Sequence, residues 1–189
     1  MSKILATPSE TAGEFSVRRP AGDERDRLVC DDCGYINYVN PKIVVGAVCT
    51  WQDKFLLCKR AIEPRIGYWT IPAGYMEENE STSAGAAREA MEEAHAEIEI
   101  DGLLAIYDIP RISQVQMIFR ARLTSPDIGV GIESAAVALY SWDDIPWDDI
   151  AFPTVHWALN HYRETEGRPL GAPFNTPDDA FKSRRVQGV

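Results

Sequence analysis

The sequence lacks long apolar runs. None of its stretches approaches the roughly 20 consecutive apolar residues that a membrane-spanning helix needs. Residues 1–15 also lack the continuous apolar core of a signal peptide. Both absences favour a cytoplasmic protein that has no membrane partner.

Positive charge is scarce as well. The chain of 189 residues carries 19 Lys and Arg against 29 Asp and Glu, which gives a formal net charge of −10 at pH 7. Because phosphate backbones are bound by clustered Lys and Arg, this balance argues against a nucleic-acid partner. A polyphosphate substrate would need metal ions to offset its repulsion from so acidic a protein.

Cysteines are too few for a structural zinc site. Cys30 and Cys33 form a turn that resembles a zinc knuckle, but such a site needs four ligands, and there is no second CxxC pair. Residues 7–13, where a zinc ribbon would supply its other pair, contain neither Cys nor His. We therefore expect no bound zinc. Cys49 and Cys58 are interpreted as small apolar residues within strands.

The remaining composition is typical of one ordinary folded domain with a small appendage, because 45% of the residues are hydrophobic. A hairpin is predicted around the Cys turn. Apolar and β-branched runs predict further strands at residues 43–51, 55–59, 96–100, 103–107, 115–123 and 135–141. Apolar spacing in residues 155–165 predicts a final helix.

Acidic side chains are concentrated in residues 74–96. After a Gly-containing turn, the Ala-rich part of this stretch predicts a helix over residues 83–96. Glu89, Glu92 and Glu93 would share one face, where like charges three and four residues apart repel one another. A hard divalent cation with oxygen ligands would turn this repulsion into a binding site. The alternative is an ordinary solvated acidic helix.

The same helix is expected to have an apolar face and a paired cation. Arg88 is expected to pair with Glu80 or Glu92 and to hold a ligand in one orientation. Four other residues recur at three- and four-residue intervals, which predicts that they pack on the core. They are Ala84, Ala87, Met91 and Ala94.

The acidic stretch resembles the Nudix box, G-x5-E-x7-R-E-U-x-E-E-x-G-U, with its fixed positions in register. The matching residues are Gly74, Glu80, Arg88, Glu89, Glu92 and Glu93. His95 replaces the final Gly, at a helix end that favours a positive φ, and His tolerates that conformation better than most residues.

The resemblance extends from about Arg27 to Arg163, through RLVCDDCGYINYVNPK, YDIPRISQVQMIF and GIES. These segments are similar to a Nudix subfamily with an N-terminal zinc ribbon, which includes ADP-ribose and FAD pyrophosphatases. It implies an α/β fold: a Nudix α/β/α sandwich with a mixed sheet, preceded by a small zinc-ribbon-like β element. We expect an N-terminal extension and degenerate ribbon over residues 1–40, a Nudix domain over 41–166 and an irregular tail over 167–189.

The resemblance also implies a site for Mg²⁺ or Mn²⁺. The expected metal-binding groups are the carboxylates of Glu89, Glu92 and Glu93, the outer carboxylate Glu80 and the backbone of Gly74. The expected catalytic residues are the same three carboxylates, Arg88 and a general base on a later loop. Glu133 is the candidate base, on a loop whose glycines are interpreted as a source of mobility; the alternative is an ordinary loop acid.

Recognition of the substrate is assigned to cationic and aromatic side chains. Arg60, Arg65 and Arg111 are candidates for phosphate or ribose contacts, since Arg matches phosphate oxygens; the alternative for each is a solvated surface Arg. Tyrosines could stack on a base, although aromatic residues beside a sheet usually belong to the core. The candidates are Tyr75, Tyr68 and Tyr107.

The expected function is a metal-dependent pyrophosphatase that cleaves a small nucleotide, ADP-ribose or FAD, to AMP and a phosphate ester. A homodimer is expected. Ser113 and Gln114 match the start of an NADH pyrophosphatase signature, but Val115 breaks it. The alternatives are an NADH or other nucleotide pyrophosphatase, a non-catalytic nucleotide sensor on the same fold, and a zinc-ribbon interaction protein that would need four zinc ligands.

Overall fold

The structure, a computed structural model, describes residues 13–178 and 180. The chain divides into two compact units, Met1–Asn40 and Pro41–Val189. Within the described residues, no helix has the length and apolar character needed to cross a membrane.

The first unit contains a small antiparallel sheet with the order β1-β2-β3. Its strands are β1 (Phe15–Arg18), β2 (Arg27–Cys30) and β3 (Ile36–Asn37). The predicted hairpin around the Cys turn is confirmed, because β2 pairs with β3 across it. Cys30 is buried, Cys33 is exposed, and both are free thiols. Most of the segment where a zinc ribbon would supply its other ligands, residues 7–12, lies outside the described residues.

The second unit is built on a seven-stranded mixed sheet. The strands are β4 (Lys42–Trp51), β5 (Lys54–Arg60), β6 (Trp69–Thr70), β7 (Ala73–Tyr75), β8 (Ile98–Ile109), β9 (Gln114–Leu123) and β10 (Ser134–Tyr140). The main order is β10-β5-β4-β9-β8, with β6 paired to β5 and β7 paired to β4. Only the β4–β9 pair is parallel among these pairings, which makes the sheet mixed.

Two helices cover opposite faces of this sheet. They are α1 (Thr82–Ala94) and α2 (Pro153–Thr165). Successive residues of a strand point to opposite faces, so Leu56 packs in the core under α1 while Leu57 packs in the core under α2. This arrangement confirms the expected α/β sandwich.

The buried face of α1 differs from the predicted one. The predicted face was wrong: Ala84 and Met91 are exposed, and only Ala94 of the four residues is buried. The helix instead packs through a row of small residues four apart, Ala86, Ala90 and Ala94, which lets its backbone lie close to the sheet. This register also turns Glu89 and Glu93, which directly precede Ala90 and Ala94, toward the interior.

One long strand replaces two predicted short ones. The runs at residues 96–100 and 103–107 were predicted as separate strands, but β8 continues through both of them. Its pairing with β9 shifts register between Ile100 and Gly102 and again between Leu103 and Ala105. These bulges absorb the Asp-Gly pair without ending the strand.

The chain after α2 has an irregular backbone, but it hydrogen-bonds to β8. The Phe174 amide donates to the Leu104 carbonyl at 2.9 Å, and the Ile106 amide donates to the Phe174 carbonyl at 2.8 Å. The Phe174 ring also stacks on His161 of α2, with 4.2 Å between ring centroids. These contacts attach the described part of the tail to the second unit.

Candidate active site

The local sequence fixes both ends of α1. The Ser81 hydroxyl accepts a hydrogen bond from the Ala84 amide at 3.2 Å, as an N-terminal cap does. At the other end, His95 adopts the left-handed conformation with a φ of 47°. The expectation of a positive φ at this substituted position of the box is confirmed. The helix therefore ends directly after Glu92, Glu93 and Ala94.

Glu89 and Glu93 are buried carboxylates, with relative exposures of 7% and 5%. This burial rules out the alternative of a wholly solvated acidic helix. Burial raises the pKa of Glu93 to about 8, with a further contribution from the charge of Glu89. Burial also raises the pKa of Glu89, against the lowering effect of Arg88. The second unit thus holds two acidic groups in an environment that disfavours their charge.

Gly74 lies against the Glu89 carboxylate. A Cβ atom added at Gly74 would lie 2.4 Å from Glu89 Oε1, and its φ is not in the left-handed region. Glycine is thus required here for space and not for backbone conformation. Since β7 pairs with β4, the sheet holds the Gly74 backbone beside the acidic face of α1, as the sequence predicted.

Arg88 connects the acidic groups. Its guanidinium donates to Glu89 Oε1 at 2.8 Å and to Glu92 Oε2 at 2.9 Å. It also donates to Glu80 through two nitrogens, at 2.9 and 3.0 Å, and to the Tyr75 carbonyl at 3.1 Å. The expected pairing of Arg88 with Glu80 and Glu92 is present. The hydrogen bonds that Arg88 donates to Glu80 raise the Arg88 pKa above its usual value.

The carboxylate of Glu80 uses both of its oxygens as hydrogen-bond acceptors. Both of its oxygens accept from Arg88, and Oε1 also accepts from the Glu77 amide at 2.8 Å. The hydrogen bonds from Arg88 lower the pKa of Glu80 to about 2. Glu80 therefore orients Arg88, and few of its lone pairs are left for another ligand.

A large cleft of about 1950 Å³ brings most of the candidate residues together. It is lined by ten of the predicted site residues, but not by Glu80, Tyr68 or Tyr107. The acidic group comprises Glu89, Glu92, Glu93 and Glu133; the others are Arg60, Arg65, Gly74, Tyr75, Arg88 and Arg111. The charge of Glu133 raises the pKa of both Glu89 and Glu93, which places this loop acid close to the helix acids.

The arginines of the cleft are held in different ways. Arg60 donates from Nε to the Pro64 carbonyl at 2.7 Å and lies 5.3 Å from the ring centroid of Phe152. Arg65 lies 5.1 Å from the ring of Tyr68. Arg111 is exposed in a short turn, Pro110–Ile112. Of these three arginines, Arg60 is the one whose charge opposes the rise in the pKa of Glu93 that burial causes.

Of the tyrosine candidates, only Tyr75 is both exposed and part of the cleft. It is 51% exposed, whereas Tyr107 is fully buried and packs in the core under α2. Gln114 donates to the Tyr75 hydroxyl at 3.3 Å, and Gln116 donates to Gln114 at 3.4 Å. Gln116 and Phe152 also line the cleft. They were not predicted from the sequence, because only the parallel pairing of β4 with β9 and the turn before α2 bring them there.

The donor set fits a hard divalent cation. In the part of the chain that the structure describes, no group of three His, Cys, Asp or Glu residues is already arranged around a common point for a metal. However, Glu89 and Glu93 offer buried carboxylate oxygens, and the cleft adds the carboxylates of Glu92 and Glu133. Mg²⁺ and Mn²⁺ prefer such ligands.

Comparison with known protein families decides the identity of the second unit. The family described as NUDIX domain matches residues 40–158. The chain belongs to the NUDIX family. Members of this family generally use divalent metal ions. A second family, described as Nudix N-terminal and named for a zinc ribbon, matches residues 10–39.

Among similar proteins, a NUDIX hydrolase structure from Nitrosomonas europaea is 47% identical, with a TM-score of 0.82 over 90% of this chain and 98% of that one. The 8-oxo-dGDP phosphatase NUDT18 of Homo sapiens is 29% identical over 76% of this chain and 46% of the human protein. An ADP-ribose pyrophosphatase of Methanocaldococcus jannaschii is 23% identical over 59% of this chain and 69% of that protein. The NUDIX chain thus corresponds to less than half the length of the human relative.

Proposed function

We propose that this NUDIX protein hydrolyses the diphosphate of a small nucleotide with the help of a divalent cation. The observation that carries the proposal is the pair of buried carboxylates, Glu89 and Glu93, on the wall of a cleft large enough for a dinucleotide. A stable protein has no need to bury two adjacent like charges. A cation and a polyphosphate together would give these charges a partner.

Glu89, Glu92 and Glu93 are the proposed ligands of Mg²⁺ or Mn²⁺, and the Gly74 backbone lies beside Glu89 for the same role. A bound cation would neutralise charge on the diphosphate and make a water molecule more acidic. Arg88 keeps Glu89 and Glu92 in place through charge-assisted hydrogen bonds. Glu80 acts on the site through Arg88.

Glu133 is the proposed general base, which accepts a proton from the attacking water. The water oxygen forms a bond to one phosphorus atom, and the bond from that phosphorus to the bridging oxygen breaks. The leaving phosphate carries the bridging oxygen away. The proposal for Glu133 rests on its position in the same cleft as the helix acids and on its electrostatic effect on both buried carboxylates.

ADP-ribose and FAD are the first candidate substrates, each giving AMP and a phosphate ester. The resemblance of the sequence to ADP-ribose and FAD pyrophosphatases supports them, as does the archaeal relative described above. An arginine and an exposed tyrosine, Arg60 and Tyr75, line the cleft for phosphate and base contacts. The retention of all the box carboxylates argues against a non-catalytic sensor.

A second candidate is an oxidised purine nucleoside diphosphate such as 8-oxo-dGDP. The human relative with that activity aligns with 76% of this chain. Both candidates present a diphosphate to the acids and differ in what is attached to it.

A panel of substrates tests the proposal. Initial rates with Mg²⁺ or Mn²⁺ should be compared for ADP-ribose, FAD, NADH, 8-oxo-dGDP and nucleoside triphosphates. We expect the highest kcat/KM with ADP-ribose or FAD and no cleavage with excess chelator. A highest kcat/KM for NADH, or cleavage of triphosphates alone, would overturn the substrate assignment. No cleavage of any compound with either metal would overturn the proposed activity.

A further inference from the structure

The loop that carries Glu133 is attached to the C-terminal end of α1. The Gly129 amide donates to the Ala94 carbonyl at 2.8 Å, and the Gly131 amide donates to the Glu93 carbonyl at 3.1 Å. These carbonyls belong to the last turn of the helix, where no intrahelical partner is available to them. The loop therefore completes the end of the helix that carries the candidate metal ligands.

Gly131 makes this contact possible through its lack of a side chain. A Cβ atom added there would lie 1.8 Å from the Glu92 carbonyl oxygen and 3.0 Å from the Glu93 carbonyl carbon. Both are backbone atoms within or beside a helix, which cannot move aside as a side chain can. The φ of Gly131 is not in the left-handed region, so space alone requires glycine.

The other end of the loop is fixed as well. The Glu133 carbonyl accepts from the Ala61 amide at 2.8 Å, and the Ser134 amide donates to the Gly131 carbonyl at 3.1 Å. Strand β10 begins at Ser134 and pairs there with Arg60. The Glu133 backbone thus lies between the end of α1 and the end of β5, with its side chain exposed in the cleft.

We infer that Gly131 is a positioning residue that sets the distance between Glu133 and the carboxylates of α1. The loop takes its register directly from the carbonyls of Glu93 and Ala94, so the backbone at the helix end places the loop acid while the side chains of Glu92 and Glu93 face the cleft. The catalytic part of this inference rests on the proposed function. The glycines of the loop allow close attachment, and the mobility assigned to them from the sequence is not needed to explain their presence.

Gly129 gives a milder, reversible perturbation of the same attachment. A Cβ atom there would lie 2.6 Å from His95 Nδ1, which is a side-chain atom. Removing the His95 side chain should therefore make room for alanine at position 129. Glycine at position 95 also suits its φ of 47°.

Steady-state kinetics with the best substrate of the panel test the catalytic part. Gly131→Ala should lower kcat by a factor similar to Glu133→Gln, about 10²-fold or more for a general base, with KM changed less than about threefold. The double variant should be no slower than the slower single variant, because both changes remove the same group. Gly171→Ala is the matched control, since a Cβ atom there would meet nothing within 4 Å. Multiplied losses in the double variant, or a kcat for Gly131→Ala within twofold of wild type, would overturn the inference.

Amide hydrogen exchange tests the attachment of the loop to α1 and does not depend on catalytic activity. In the wild type the amides of Gly129, Gly131 and Ala61 should be protected, and Gly131→Ala should abolish the protection of Ala61. If that variant does not fold, Gly129→Ala takes its place, and its loss of protection and of kcat should be restored by adding His95→Gly. Unprotected amides in the wild type, or no restoration, would contradict the inference. Protected amides in a protein that cleaves none of the panel would leave the attachment standing and overturn only the proposed activity.

Discussion

Arg88→Met should destabilise the metal-free protein far more than the loss of an ordinary surface arginine. The guanidinium makes five hydrogen bonds, of which four go to carboxylates. The Met side chain is similar in length to the Arg stem, without the guanidinium, and keeps the apolar contacts of that stem. The substitution therefore isolates the loss of the charged, hydrogen-bonding head.

The expected loss of stability follows from how deeply the two partners of Arg88 on α1 are buried. The Glu92 side chain is 58% exposed, so its pair contributes at most about 0.5 kcal/mol. The Glu89 side chain is only 9% exposed and would be left unpaired, a change that costs about 3–5 kcal/mol for a fully buried pair. Because Arg88 is itself 22% exposed, we expect about 2–3 kcal/mol. For a chain of this size that corresponds to a fall in Tm of about 4–12 °C.

Thermal and urea unfolding in excess chelator measure the effect. Arg122→Met is the matched control, because Arg122 and its partner Glu99 are 70% and 67% exposed and 3.5 Å apart. Its free energy of unfolding should change by no more than about 0.5 kcal/mol. A loss below about 1 kcal/mol for Arg88→Met, or equal losses in the two variants, would refute the reasoning.

Three further predictions concern other parts of the chain. Glu93→Gln should leave the Tm of the metal-free protein unchanged or higher in thermal unfolding, because it removes a carboxyl group whose charged form is disfavoured by burial and by the neighbouring Glu89. Cys30→Ser combined with Cys33→Ser should give a folded, active protein, since two thiols cannot complete a structural zinc site; the checks are circular dichroism, activity and elemental analysis. Burial lowers the pKa of His161, so the unfolded chain takes up a proton first as the pH falls below about 6.5. The contribution of His161 to the free energy of unfolding should therefore fall between pH 7 and pH 5.5, so that His161→Gln gains stability relative to wild type over this range in urea unfolding.

A specific result would contradict each of these predictions. A Glu93→Gln protein that melts well below wild type in chelator would mean that the carboxylate has a structural partner. Stoichiometric zinc, with unfolding on chelation, would show that the Cys turn is part of a structural zinc site. Equal pH dependence in wild type and His161→Gln would remove His161 as the source of the effect.

Much of the site was predictable because its residues are close in sequence. The Ala-rich run after Gly74 predicted the helix, and the structure brings Gly74 against Glu89 and pairs Arg88 with Glu80. The buried face of the helix was not predictable. Alanines occur in two overlapping registers, and a pattern based on hydrophobicity cannot favour the one that also turns Glu89 and Glu93 inward.

Features that depend on contacts between residues far apart in the sequence could not be predicted from sequence patterns. The Asp101-Gly102 pair is typical of a turn, and only the pairing of β8 with β9 shows that bulges accommodate it. In the same way, Gly131 is compatible with either a mobile loop or a close contact. Its position against the Glu92 carbonyl decides between them, and that contact joins residues about forty positions apart in the sequence.

The most direct test of the central claim is the turnover of ADP-ribose by wild type and Glu93→Gln, followed by ³¹P NMR at equal protein and Mg²⁺ concentrations. We predict that the wild type converts the diphosphate signals into those of AMP and ribose 5-phosphate, and that chelator stops the reaction. Loss of a group that only supports a metal ligand costs about 10–100-fold, so loss of a ligand itself should slow turnover by more than about 100-fold. Turnover of Glu93→Gln at the wild-type rate, or wild-type turnover that continues in chelator, would contradict the account.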